Sequence, residues 1–269
     1  MIRISLRAVA VAVTAVVGAL SLTGAASLTG AADPSGASPR SVPIGPGALT
    51  RNPLYATGAF RSSACTEPAR RADDLGSYRA YLDDLLGCLG RAWSAKFRQA
   101  GLRFSPPRVR YITKSVYTGC GQFMASYAAS LYCPANKTLW IMLSKEELSD
   151  PMGFGLFTVV AHEYGHYAQD RAGILAEFER RSRTLSGKRV LDLNRRIELQ
   201  ADCLSAAFVR SVWSSLGRDR HDWDERVMAD DGDMWHGTTR NIRYWLKRGW
   251  AGGGPRVCDT FRAPASRVA

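Results

Sequence analysis

The 269-residue sequence predicts a helix-rich α+β domain with a small antiparallel sheet or hairpin ahead of its main helices. Apolar residues recur at helical spacing in four stretches, whereas two short apolar runs bracket the turn-forming Pro134-Ala135-Asn136-Lys137. At 46% hydrophobic and 22% charged residues the chain can bury a sizeable core, which excludes wholesale disorder and a collagen-like fibre.

The first element reads as a targeting segment. Arg3 and Arg7 precede an apolar run over residues 8–20, followed by the small-residue steps Gly24-Ala25-Ala26 and Gly30-Ala31-Ala32. A positive start, a short apolar stretch and an A-x-A-like site predict a signal peptide over residues 1–32, hence a secreted or extracellular protein. No cysteine lies nearby to carry a lipid, and no run reaches the roughly 18–20 apolar residues of a membrane span. Cleavage would remove two arginines and no acidic residue, so the formal charge of +12 becomes +10. Residues 33–58 contain five Pro, four Gly and three Ser, a composition that reads as a linker. The domain is then expected over residues 59–262, with a tail at 263–269.

Within the domain, Leu75, Tyr78, Leu82, Leu85, Leu89 and Trp93 predict a helix over 74–100. Residues 109–112 read as a strand, and 131–133 with 138–143 as a hairpin. Ser144-Lys145-Glu146-Glu147 matches a capping box, which assigns Glu146 and Glu147 to a helix start instead of catalysis. Phe157, Val160, Ala161, Tyr164 and Ala168 predict a half-buried helix stopping near Gly173. Further helices are expected over 190–216 and 238–248.

Six cysteines (Cys65, Cys88, Cys120, Cys133, Cys203 and Cys258) follow the linker. An even number in an exported chain implies up to three disulfides. No CxxC pair is present, which disfavours a thiolate zinc ribbon or a thioredoxin-like site. Cys120 and Cys133 flank the strand region and are paired on that ground, leaving Cys65–Cys88 and Cys203–Cys258.

Two of the four histidines fall in His162-Glu163-Tyr164-Gly165-His166. Residues four apart share a helical face, so both imidazoles can reach one ion, with Glu163 beside them to take a proton from water. A catalytic zinc usually has three protein ligands and one open position. Neither His221 nor His236 completes the longer H-E-x-x-H-x-x-G-x-x-H pattern, which excludes the metzincin arrangement. Glu198 is the expected third ligand. It lies in Glu198-Leu199-Gln200-Ala201-Asp202 on an apolar-rich helix, where a buried carboxylate needs a partner. Asp202, four residues on, is expected to accept the second ring N–H of His162.

The run HEYGH followed by RIELQADC resembles the bacterial neutral zinc metallopeptidase family with gluzincin-type ligands. The resemblance extends to YCPANKTLWIML, to HGTT before an aromatic, basic helix, to the closing CDTF, and to NPLYATG, which is similar to exported actinobacterial members. It spans about residues 52–262, with Tyr167 and Arg240-Asn241 departing from the usual pattern. The ligand types and their spacing lead to an expectation of one Zn2+ ion, with a peptide or protein substrate, while the resemblance itself does not provide a substrate.

On this reading Glu163 is the general base, and His236, ahead of Gly237-Thr238-Thr239, is the candidate donor to the oxyanion, with Tyr127 and Tyr132 as alternatives. The competing reading is a catalytically silent, zinc-stabilised module that binds the cell envelope. A third rests on Arg243, Tyr244, Trp245, Lys247 and Arg248, which could hold wall glycan or anionic polymer. The positive charge suits electrostatic contact with an anionic envelope, and nothing beyond charge points to nucleic acid.

Overall fold

The computed structural model describes residues 39–124, 129–150 and 153–269; the expected signal peptide lies outside the described residues. The packed body begins earlier than composition suggests. Helix α1 (Gly47–Thr50) and a 3-10 turn at Pro53–Ala56 bury Ala48, Leu49 and Leu54. Asn52 fastens this segment: its Nδ2 donates to the carbonyls of Ala48 and Ala172, both at 2.9 Å. Pro- and Gly-rich sequence is compatible with short turns of this kind, and residues 47–56 of the expected linker are docked on the body. The expected tail is packed as well. Val268 is buried, and the carbonyl of Ala269 accepts from Asn241 Nδ2 at 2.5 Å.

Helix α2 (Leu75–Gln99) starts where Asp74 Oδ1 accepts from the backbone N–H groups of Gly76 and Ser77, a side-chain N-cap. Its apolar stripe buries Tyr78, Leu82, Leu85, Leu89, Trp93 and Phe97. Five short strands follow: β1 (Arg108–Ile112), β2 (Val116–Tyr117), β3 (Gln122–Phe123), β4 (Ser130–Cys133) and β5 (Thr138–Met142). β4 and β5 form the expected antiparallel hairpin, with Cys133 opposite Thr138. β1 adds to the far side of β5 in parallel, giving the order β1-β5-β4. The sheet is therefore mixed, because the chain between β1 and β4 turns back through the separate β2–β3 pair. Ser144 Oγ accepts from Glu147 N at 3.3 Å and starts α3 (Lys145–Ser149).

The helical layer carries the rest. Helix α4 (Gly155–Arg171) ends at Gly173, whose φ of 79° turns the chain directly into α5 (Ile174–Ser182). Helix α6 (Lys188–Val212) crosses α4, and a methyl group on Gly165 would lie 3.3 Å from the Cα of Ala201. A side chain at Gly165 would hold the two helices apart. After α7 (Arg220–Ala229), helix α8 (Thr239–Gly252) packs on α6 still more closely. A Cβ at Gly249 would fall 2.0 Å from the carbonyl oxygen of Cys203. Disulfides join Cys65 to Cys88, Cys120 to Cys133 and Cys203 to Cys258. The third ties α6 to the turn after α8. No helix among the described residues is long and apolar enough to cross a membrane.

Candidate metal centre

His162 and His166 project from one face of α4, and Glu198 reaches them from α6. The separations are 3.1 Å between the two Nε2 atoms, 3.0 Å from His166 Nε2 to Glu198 Oε2, and 3.4 Å from His162 Nε2 to the same oxygen. Tetrahedral zinc with bonds of about 2.0–2.1 Å requires ligand atoms roughly 3.3 Å apart. The three donors meet that edge length without rearrangement.

The surrounding hydrogen bonds fix which ring nitrogens face inward. Asp202 Oδ1 lies 2.8 Å from His162 Nδ1, and an ionised carboxylate only accepts, so the Nδ1 atom carries the proton. Gln169 Oε1 lies 2.9 Å from His166 Nδ1, while its Nε2 donates to Ile197 O and Gln200 Oε1. Its amide orientation therefore leaves Oε1 to accept from the imidazole. Both Nε2 lone pairs then point at each other and at Glu198 Oε2. Three acceptors converging in this way repel one another unless a cation lies among them, so the donor chemistry fits a metal ion.

The local electrostatics run the same way. Burial disfavours a charged His162, but the charge and hydrogen bond of Asp202, with Glu198, outweigh it and raise the imidazole well above its ordinary value. Burial pushes Glu198 up, but His166 and His162 overcome it and hold the carboxyl well below the usual range. A positive charge is thus stabilised among these residues, whether proton or metal supplies it. Glu163 differs. Burial raises its carboxyl, and the opposing pull of His166 and His162 does not cancel the shift. Its Oε2 accepts from the backbone N–H of Tyr132 at 2.6 Å, which anchors the carboxylate to β4.

His236 stands at the rim, with Nε2 3.8 Å from Glu198 Oε2 and Nδ1 2.8 Å from Asp233 Oδ2. Tyr132 reaches the centre through its backbone, while its hydroxyl donates to Asp170 Oδ2 at 2.5 Å. Tyr127 lies outside the described residues. His221 is exposed on α7 and pairs with Glu225. Trp245 is buried, its Nε1 donating to the carbonyl of Arg267, and Arg267 covers the ring of Tyr244. Trp245 is thus committed to packing, whereas Tyr244 is half-buried and Lys247 and Arg248 are exposed. Three participants were not singled out in the sequence: Gln169, Asp233 and the Tyr132 N–H. Gln169 and Asp233 each lie three residues from the histidine they hold, a helical or turn spacing that could have flagged them. A backbone donor from another element leaves no such trace.

Residues 56–229 match the family described as "Putative neutral zinc metallopeptidase". The chain is similar to uncharacterized protein YpfJ of Escherichia coli K12, 28% identical over 237 residues that cover 80% of this chain and 79% of that protein. It is also similar to uncharacterized protein Rv2575 of Mycobacterium tuberculosis H37Rv, 26% identical over 193 residues covering 60% and 64% respectively. No solved structure matches it. The matched segment contains the convergent His162, His166 and Glu198 together with Glu163 and Asp202, and the chain belongs to the neutral zinc metallopeptidase family.

Proposed function

We propose that the protein is a secreted zinc peptidase in which His162, His166 and Glu198 hold one Zn2+ ion and Glu163 is the general base. The observation that carries this reading is the set of three inward-facing donors at tetrahedral spacing beside a carboxylate that is not itself one of them. When bound, zinc supplies Lewis acidity toward water and the substrate carbonyl. The protein's own residues do the rest. Glu163, fixed through Oε2 by the Tyr132 N–H, has Oε1 left to take a proton from the attacking water and pass it to the leaving amine. Asp202 and Gln169 keep both imidazoles in the tautomer that presents Nε2. His236, held through its Nδ1–H by Asp233 and with Nε2 3.8 Å from Glu198 Oε2, would donate to the oxyanion from Nε2 when that nitrogen also carries a proton.

Family membership makes a peptide the substrate class. Secretion rests on the expected signal peptide and agrees with three disulfides, which persist in oxidising compartments. The excess of basic residues suits retention at an anionic envelope. An intact Glu163 argues against the silent binding module, since a structural ion needs no base. The test is Glu163→Gln, which should keep stoichiometric zinc and lose peptide hydrolysis by at least a hundredfold, in line with the roughly 10²–10⁴ of general-base catalysis. Cleavage at the parental rate would refute the mechanism.

A further inference from the structure

We propose that the loop over residues 232–237 selects peptides with a large apolar side chain next to the scissile bond, received by Trp235 and Met234. The inference rests on the peptidase reading and names the substrate preference of that same site.

The first argument is position. His236 reaches within 3.8 Å of Glu198 Oε2, and the Trp235 carbonyl is held by Asn194, one helical turn before Glu198 on α6, so the Trp235 backbone lies beside the donor cluster. Consecutive Cα atoms are only about 3.8 Å apart. The loop also lies beyond residues 56–229, the part matched by the family description.

The second argument is rigidity. Asp233 Oδ1 accepts from the N–H groups of Trp235 and His236, both at 2.7 Å, and Asp233 bridges to Gly237. From α6, Asn194 Nδ2 donates to Trp235 O at 3.1 Å and Arg195 Nε to Met234 O at 3.0 Å. These bonds hold the loop's backbone at both carbonyls against α6.

The third argument is exposure. Met234 is 56% exposed and Trp235 41%. The other tryptophans are buried or half-buried, and Trp213, Trp223 and Trp250 pack against one another. Trp235 has no such ring partner among the described residues. Two adjacent large apolar side chains held in water beside a reactive centre gain by covering themselves with a substrate side chain, and an indole offers a rigid surface for it.

The test uses matched peptides that differ at one position, Leu or Phe against Ser or Asp. Cleavage by the zinc-loaded parent should favour the apolar peptides at least tenfold in kcat/KM. Trp235→Ala should reduce that ratio by about tenfold, and Trp235→Phe should restore most of it. Ile44→Ala, which removes a still more exposed apolar side chain elsewhere, should keep the parental ratio. Calorimetric titration of zinc-loaded Glu163→Gln with the same peptides gives the ratio without turnover. An unchanged ratio in Trp235→Ala overturns the inference while leaving peptidase activity in place. Binding of apolar peptides through Trp235 with no cleavage by the parent supports the surface and defeats the catalytic reading. A dimer of the parent that Trp235→Ala dissociates would assign the surface to a second copy and overturn the proposal.

Discussion

Replacing Asp202 perturbs the proposed centre without touching a donor atom. The carboxylate is buried, and its Oδ1 lies 2.8 Å from His162 Nδ1. Asp202→Asn keeps an acceptor but removes the charge. A hydrogen bond to a charged group contributes about 1.5–3 kcal/mol and a neutral one about 0.5–1.5, so the loss is roughly 1.4 kcal/mol, or tenfold in zinc affinity. Asp202→Ala leaves a buried ring N–H without its acceptor and frees the imidazole to rotate. Its cost should approach about a hundredfold, the upper end for partners of metal ligands. Gln169→Ala removes a neutral acceptor from His166 and should cost less than Asp202→Ala. Competition against a fluorescent zinc chelator gives the three affinities, and circular dichroism checks that each variant is folded. Affinities all within twofold of the parent would refute the claim that these groups orient the imidazoles for a metal.

Three further outcomes follow from the packing and charge. Gly249→Ala forces a methyl group against the Cys203 carbonyl and should destabilise the protein by about 3 kcal/mol, the upper end for overpacking, read as a lower urea midpoint. Gly165→Ala meets Ala201 less severely and should cost less, about 1 kcal/mol, while weakening zinc binding because it moves Glu198 away from the histidines. An unchanged midpoint in the first variant, or unchanged zinc affinity in the second, would contradict the close crossings described. Glu177 is buried, and Arg180, then Arg181, hold its carboxyl down to about 2 against the effect of burial. A folded value below the unfolded one means that the stabilisation is present above the ordinary carboxylate range and is lost as pH falls toward about 2. Glu177→Gln should therefore lower the urea midpoint at neutral pH and flatten its acid dependence. A variant whose acid dependence matches the parent would exclude that role.

What could be read from the sequence follows from how local each signal is. The spacing of His162 and His166 fixes a shared helical face, and Glu198 with Asp202 repeats the same four-residue logic on α6. The Ser144 cap and the Cys133–Thr138 hairpin are equally local. Parallel pairing of β1 with β5 is not local, because the chain reveals no register between strands separated by other elements. Helices α5 and α7 escaped because each buries few apolar residues, Ile174 and Leu175 in one and Trp223 and Val227 in the other. Residues 47–56 and 265–268 look like linker and tail because their order comes from docking onto the body, with Asn52 and Val268 as the fastening points. The approach of His236 to Glu198 depends on how a loop beyond α7 folds back onto α6, which no spacing records.

The central claim is that His162, His166 and Glu198 bind a catalytic zinc ion, and metal analysis of the purified mature chain tests it most directly when paired with a peptide-library digest. The account predicts one zinc per chain, loss of that zinc in His162→Ala and Glu198→Ala, and cleavage that a chelator abolishes and added zinc restores. A folded parent with no stoichiometric zinc, or cleavage indifferent to the chelator, would contradict it.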